Sequence, residues 1–381
     1  MTAAIRPHYI FSTEGFAFHD WQSEVLLHSH RRNGLGGKIT RIVSGDAAWR
    51  PPKGSGSDYT VVRVPRFDPL DGDWYPLRNR PHSLVHIFEQ MPGYIDPNEI
   101  VVLLDPDQVI VGSPGSWNAL FERVAAQGPL AAGYGIGSSF LDSWADEFCN
   151  GLGSTADDAV RANIAIGAPY VLYGRDLQAI APVWVEVMER MRRDARIAAI
   201  AGWCTDMYAY AIATIRLGIM HARLPLMISS PFDENEPWDL ASVDAEGRPR
   251  FRFPLVVVHY CQKLSIGSYS WTKHDHHEFA MRNDAGRPLL PMVSAAGDTE
   301  VLNRLTADLS VDARLLDSRE STKSPAYTSR DDARVRAEAY RNVFLYNAVL
   351  PAANEALQAY YEARQAYYAS APLRGPAGPS R

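Results

Sequence analysis

Three cysteines in 381 residues, at positions 149, 204 and 261 with no Cys-x-x-Cys spacing, are too few and too scattered for a disulfide framework or a cysteine zinc site. Each is most simply a small buried hydrophobe. No window approaches the roughly 20 apolar residues of a membrane span. The first eight residues, Met1 to His8, lack the apolar core of a signal peptide. The expectation is a soluble chain, cytoplasmic if complete and lumenal in the secretory pathway if an N-terminal anchor has been trimmed. A basic stripe is also missing: 38 Lys and Arg stand against 44 Asp and Glu, a net charge of −6, and the basic residues are dispersed. A nucleic-acid partner is therefore disfavoured. Asn33-Gly34-Leu35-Gly36-Gly37 lacks the Gly-Lys-Ser/Thr of a phosphate-binding loop and reads as a flexible turn. Asp68, Asp71 and Asp73 do not have EF-hand spacing and read as a solvated turn. No internal repeat is present.

What the chain does have is a run of five aliphatic residues, Ile100 to Leu104, followed by Asp105-Pro106-Asp107 and a second apolar run from Val109 to Val111. Such a run reads as a strand buried on both faces, within a parallel or mixed sheet of an α/β domain. Ligands of such sheets gather at the C-terminal ends of the strands. Asp105 and Asp107 can both present oxygens to one hard cation, which can in turn neutralise a diphosphate. Asp-Pro-Asp is equally good turn chemistry, because proline fixes φ and aspartate caps the following donors.

Strands are expected at 8–13, 38–43, 59–64 and 164–173, and helices at 20–30, 116–126 and 176–193. A further helix opens at Asn79-Arg80-Pro81 with Leu84, Val85, Ile87 and Phe88 as its apolar face. Residues 47–58 and 133–139 read as irregular connections. In the helix expected over 203–217, Trp203, Asp206 and Tyr210 share a face. A carboxylate framed by aromatics can hold a sugar; the competing reading is a first-turn acid favouring the helix dipole, with core aromatics. Phe253 to His259 reads as a strand ending in a histidine able to complete a metal shell. His274-Asp275-His276-His277 reads as a surface loop rather than a zinc site, since adjacent residues cannot all face one ion. Residues 329–350 and 352–368 read as two helices hinged at Pro351, and 371–381 as a disordered tail. The division expected is 1–298 for the main domain, 299–370 for a helical C-terminal extension and 371–381 for the tail.

Taken in order, these blocks resemble two related kinds of plant and algal peptide glycosyltransferase, the hydroxyproline O-arabinosyltransferases and the peptidyl serine α-galactosyltransferases. The resemblance runs over about residues 8 to 280. It is carried by His8-Tyr-Ile-Phe-Ser-Thr13, Asp20-Trp21-Gln22, Ile39-Thr40-Arg41, Asp73-Trp74-Tyr75-Pro76 and Asn79-Arg80-Pro81. Asp105-Pro106-Asp107 shares its first Asp with the galactosyl branch and its Pro with the arabinosyl branch. Ile166-Gly167 and Ile180-Ala181-Pro182-Val183-Trp184 look arabinosyl; His259-Tyr260, Ser265-Ile266-Gly267 and Thr272 to His277 look galactosyl. Trp203-Cys204-Thr205-Asp206-Met207-Tyr208 has Asp where the family has Glu.

The resemblance implies a GT-A type nucleotide-sugar-binding α/β sandwich, using a UDP-sugar donor and Mn2+ or Mg2+, and transferring galactose or arabinofuranose with retention to a hydroxyl of a peptide or protein (Ser or hydroxyproline). It implies Asp105, Asp107 and His259 as metal ligands and Lys273 and Arg80 as neutralisers of the diphosphate. Ser12, Thr13, Asp20, Gln22 and Gly267 are the remaining candidates for the nucleotide, and Asp206, with Lys273, for catalysis. A metal-dependent nucleotidyltransferase or phosphohydrolase, or a non-catalytic UDP-sugar-binding protein, are the competing classes; oligomeric state is left open.

Overall fold

Aliphatic runs bounded by polar turns become strands, and the intervening amphipathic segments become helices laid on the resulting sheet. The structure, a computed structural model, describes residues 7–45, 49, 59–67, 72–136, 163–231, 233, 235–244, 248–266, 269–276 and 330–370. In chain order the first elements are β1 (His8–Glu14), α1 (Ala17–Arg32), β2 (Lys38–Ser44), β3 (Thr60–Val64), α2 (Asn79–Gln90), β4 (Ile100–Leu104), β5 (Gln108–Ile110), α3 (Pro114–Gln127) and β6 (Leu130–Gly133). They are followed by β7 (Ile166–Tyr173), α4 (Gly174–Arg193), α5 (Ala195–Ala201), α6 (Thr205–Leu217), β8 (Ala222–Leu224) and β9 (Met227–Ile228). The last are β10 (Ala241–Val243), β11 (Pro249–Phe251), β12 (Val257–His259), β13 (Leu264–Ile266), β14 (Tyr269–Trp271) and α7 (Arg330–Ser370).

The main sheet has seven strands in the order β3-β2-β1-β4-β7-β6-β8. β3, β2, β1 and β4 are parallel, and β7 runs antiparallel to both β4 and β6. As expected of the central run, β4 is buried at all five positions. Its side chains alternate between two cores. Val101 and Leu103 pack with Leu84 of α2, Leu177 and Trp184 of α4 and Tyr210 of α6. Ile100, Val102 and Leu104 pack with Leu26 and Leu27 of α1 and Trp117 and Leu120 of α3. A smaller sheet, β5-β12-β9, adjoins the end of β4, and with Trp21 and Val25 of α1 it holds the apolar face of α7.

Several expectations need correction. α7 is one helix that continues through Pro351, not two hinged at it. Val349, Leu350, Ala352 and Ala353 on either side of the proline are all buried, so packing holds the axis across the missing hydrogen bond. The strand expected over 253–259 is reduced to β12, because Leu255 N–H turns back to Arg252 O (3.0 Å) and Pro254 has no donor. Cys204 and Cys261 are half-buried rather than buried, and Asp73 is bound by Arg78 and Arg192 rather than solvated. Cys149, Asp68, Asp71, Gly267, His277 and residues 299–329 and 371–381 lie outside the described residues.

A buried histidine joins α6 to β8. His221 Nε2 accepts from the Tyr210 hydroxyl (2.9 Å), its Nδ1 lies 3.1 Å from Ile219 O, and its N–H donates to Asn163 Oδ1 (2.8 Å). Burial lowers its pKa from 6.5 to about 4, so the folded chain keeps it neutral while the unfolded chain protonates it. Its stabilisation is fully present above pH 6.5 and is lost as the pH falls toward 4, by about 3 kcal/mol. Denaturant unfolding of wild type and His221→Gln should show a stability difference that shrinks by that amount between pH 7 and 4. A difference independent of pH would contradict it.

Candidate functional site

The main sheet hands the chain to the smaller sheet at Asp105-Pro106-Asp107. β4 ends there because Pro106 has no N–H to extend the ladder. Gln108 ties the turn down: its Oε1 accepts from Asp105 N–H (3.1 Å) and its Nε2 donates to Ala168 O (2.9 Å). The antiparallel register of β12 on β5 pairs His259 with Gln108, and Tyr260 N–H donates to Asp107 O (3.1 Å). This register brings the histidine beside the carboxylates. One ligand atom each from Asp105, Asp107 and His259 lie within 4.8 Å of one another.

Each carboxylate also commits an oxygen to a basic side chain. Lys273 Nζ donates to Asp107 Oδ2, and Arg80 Nη2 to Asp105 Oδ1. His259 Nε2 lies 3.1 Å from Asp107 Oδ1. Burial works to raise the Asp107 carboxyl, but the charges of His259 and Lys273 outweigh it and hold it well below the usual carboxylate range. Burial likewise disfavours charge on His259, and Asp107 reverses this, raising the imidazole to about 10. The far nitrogen of that ring, Nδ1, is 3.3 Å from the Tyr134 hydroxyl, which in turn lies 3.6 Å from Cys261 Sγ.

Arg80 links this cluster to Asp206, its Nη1 reaching Asp206 Oδ2 at 3.2 Å. Asp206 opens α6, and its backbone is fixed from two sides: its N–H donates to the Tyr75 hydroxyl (2.8 Å) and its carbonyl accepts from Trp184 Nε1 (2.8 Å). Its Oδ1 is buried without a hydrogen-bond partner. Burial raises the carboxyl to about 6, against the pull of Arg80. Tyr210 is buried core, whereas Trp203 is 58% exposed on a separate turn, so the three residues expected on one helix face part company.

The residues expected at the nucleotide cluster around the end of β1 and the start of α1. Thr13, Asp20 and Gln22 are buried at the β1–α1 junction and Ser12 is half-buried. Asp20 Oδ1 accepts from Arg41 Nη2 (2.7 Å), Thr13 Oγ1 accepts from Arg41 Nε (3.0 Å), and Gln22 Nε2 donates to Phe18 O (2.8 Å). They are bonded into the scaffold that sets the end of β1. Phe16 and Phe18, not singled out from the sequence, stand there beside His274 of the Thr272 to His277 block. Phe16 is 41% exposed and stacks on the buried Phe18, and His274 lies near-parallel to Phe18 at 5.7 Å. Aromatics directly after the C-terminal end of a parallel strand were the signal available. Tyr134 gave no such signal, because only the fold brings it to His259. A cavity of about 760 Å³ lined by Pro7, Lys38, Glu99 and Trp117 sits at the opposite, N-terminal edge of the parallel strands, and is not this site.

A family model described as the hydroxyproline O-arabinosyltransferase family N-terminal domain matches residues 7–224, and the chain belongs to that family. It is 28% identical to a peptidyl serine alpha-galactosyltransferase of Arabidopsis thaliana, over 75% of this chain and 34% of that protein. It is 26% identical to the hydroxyproline O-arabinosyltransferase NOD3 of Pisum sativum, over 61% of this chain and 65% of that one. The chain thus spans about a third and about two thirds of these relatives. Among solved structures, a galactosyltransferase LgtC complex with donor and acceptor sugar analogues aligns with a TM-score of 0.39 and 13% identity, over 67% of this chain and 87% of that one.

Two carboxylates and an imidazole form a donor set suited to a divalent cation, and Tyr134 stands where a residue orienting the imidazole would stand. Calorimetric titration with Mn2+ should show binding that Asp107→Ala abolishes and Tyr134→Phe weakens about tenfold. Equal Mn2+ affinity in wild type and Asp107→Ala would contradict the assignment.

Proposed function

We propose that this chain is a metal-dependent, GT-A type retaining glycosyltransferase. In this reading it moves a sugar, galactose or arabinofuranose, from a UDP-sugar to a hydroxyl of a peptide or protein, serine or hydroxyproline. The observation that carries the reading is the meeting of Asp105, Asp107 and His259 at the C-terminal end of a buried strand, joined through Arg80 to a carboxylate with an unpartnered oxygen. The family membership and the named activities of the relatives support it.

Asp105, Asp107 and His259 would hold the cation, and their mixed oxygen and nitrogen set favours Mn2+ over Mg2+. When bound, the cation supplies charge neutralisation for the diphosphate. Lys273 and Arg80, already beside the carboxylates, place two further cations where negative charge develops on the leaving oxygen. Ser12 at the end of β1 is proposed to meet the uridine, with the exposed Phe16 offering a face to the base and the buried Thr13 holding the strand end through Arg41. Asp20 and Gln22 then act by fixing that strand end, and the Gly267 segment is proposed for the diphosphate.

Asp206 orients the sugar or the attacking hydroxyl through its available oxygen, and above about pH 6 it does so as a carboxylate. The acceptor oxygen attacks from the face the diphosphate leaves, and its proton passes to a leaving diphosphate oxygen. Asp206 forms no bond to carbon in this scheme. Asp206→Asn should therefore keep turnover within a few-fold and no glycosyl adduct should appear on the wild-type protein by mass spectrometry, whereas an adduct in wild type would establish double displacement.

A panel of UDP-sugars, with Mn2+ and with chelator, tests the reading through UDP release. Mn2+-dependent release from one sugar nucleotide, lost in Asp107→Ala, is expected. Binding of a UDP-sugar without release would favour a non-catalytic binding protein. Release of phosphate or nucleotide from non-sugar substrates alone would favour the nucleotidyltransferase or phosphohydrolase.

A further inference from the structure

His19 stands in the first turn of α1, beside the proposed nucleotide site. It is half-buried, with its ring against Phe16 (centroids 4.5 Å apart, planes inclined by 48°) and Phe18 (5.4 Å). Its Nδ1 accepts from the N–H of Glu14, the last residue of β1, at 3.0 Å. A ring nitrogen that accepts carries no hydrogen, so a neutral imidazole held this way has its hydrogen on Nε2. The surroundings keep the ring neutral: burial and the charges of Arg41 and Lys273 lower it from 6.5 to about 3, against the opposing pull of Asp107. The backbone at the end of β1 therefore fixes the tautomer, and Nε2–H is a donor throughout the working pH range. Among the described residues it has no acceptor, and it is not sealed from solvent.

Two groups of charges act on this ring. Arg41 is bonded to Thr13 at the end of β1, where the base is proposed to lie, and Asp107 with Lys273 belongs to the proposed cation and diphosphate site. His19 thus stands between the two, and in a nucleoside diphosphate the ribose lies between the base and the diphosphate. The chemistry of the donor agrees with that place. A phosphate oxygen is best met by a charged imidazole, the state that Arg41 and Lys273 oppose, whereas the N–H of a neutral ring suits an uncharged oxygen. With Nδ1 taken by Glu14 and Nε2 carrying the hydrogen, the ring has no lone pair to offer a cation or the proton of an attacking hydroxyl.

We propose that His19 is a nucleotide-binding residue that gives its Nε2–H to a ribose hydroxyl of the UDP moiety, with the Glu14 N–H fixing which nitrogen donates. It selects ribonucleoside over deoxyribonucleoside diphosphates, because an analogue lacking that hydroxyl leaves the donor without its acceptor. The inference rests on the UDP-sugar reading for the identity of the nucleotide.

The test is calorimetric titration of the whole chain, with Mn2+ present, by UDP, 2′-deoxy-UDP and 3′-deoxy-UDP. Two variants are compared, with thermal unfolding as the control for folding: His19→Phe keeps an aromatic ring and removes both nitrogens, and His19→Gln keeps a donor at similar reach. Wild type should bind one of the deoxy analogues about tenfold more weakly than UDP. His19→Phe should lose about the same factor for UDP and bind UDP and that analogue alike, and His19→Gln should keep most of the preference. UDP bound by His19→Phe as tightly as by wild type, or a preference for UDP that survives the phenylalanine substitution, would overturn the proposal. Wild-type binding of UDP and both analogues with equal affinity would remove the role of His19 and leave the UDP-sugar reading standing; binding of none of the three would remove that reading and the inference with it.

Discussion

The structure turns on how buried negative charge is compensated at the end of β4. Asp107 and Asp206 are both almost fully buried, and Asp105 lies between them through Arg80. Leaving one such carboxylate unpaired costs about 3–5 kcal/mol. The chain meets this with three basic groups from distant segments: Arg80 at the start of α2, His259 at the end of β12, and Lys273 on the turn after β14. Each pairing fixes an element of the fold and a group of the site at once. A second buried pair, Arg41 with Asp20, does the same for the neighbouring end of β1.

The cluster is a product of sheet geometry. β4 delivers Asp105 from the main sheet, the turn delivers Asp107, and the β5–β12 register delivers His259 from a residue more than 150 positions further on. A shift of β12 by one residue would turn the imidazole to the other face. Gln108, buried and bonded to both Asp105 N–H and Ala168 O, couples the turn to β7. Tyr75 repeats the device on the other side of Arg80, holding Asp206 and Trp203 together.

The elements with strong periodicity were readable: the aliphatic run of β4, the strand–helix–strand start of β1, α1 and β2, and the amphipathic α4 appear close to their expected bounds. Asp105, Asp107 and His259 were also readable as a set, because a strand end, a one-residue spacing and a second strand end each leave a local trace. What was not legible depends on partners far away in sequence. Pro351 reads as a hinge until the flanking apolar residues find α1 and the smaller sheet. Trp203 reads as part of the Asp206 face until a short turn separates it from α6. Arg80 and Lys273 read as neutralisers of a diphosphate, and only the fold shows them paired with Asp105 and Asp107; Tyr134 has no local signature at all.

In the proposed mechanism Asp105, Asp107 and His259 act as one cation site serving a sugar nucleotide. Pulsed electron paramagnetic resonance of Mn2+ added to the chain with UDP tests it most directly, because the imidazole is the nitrogen donor in the set. Nitrogen modulation from a directly bound ligand, lost in His259→Asn, is expected. Protein-bound Mn2+ without that modulation, or the same modulation after the substitution, would contradict it.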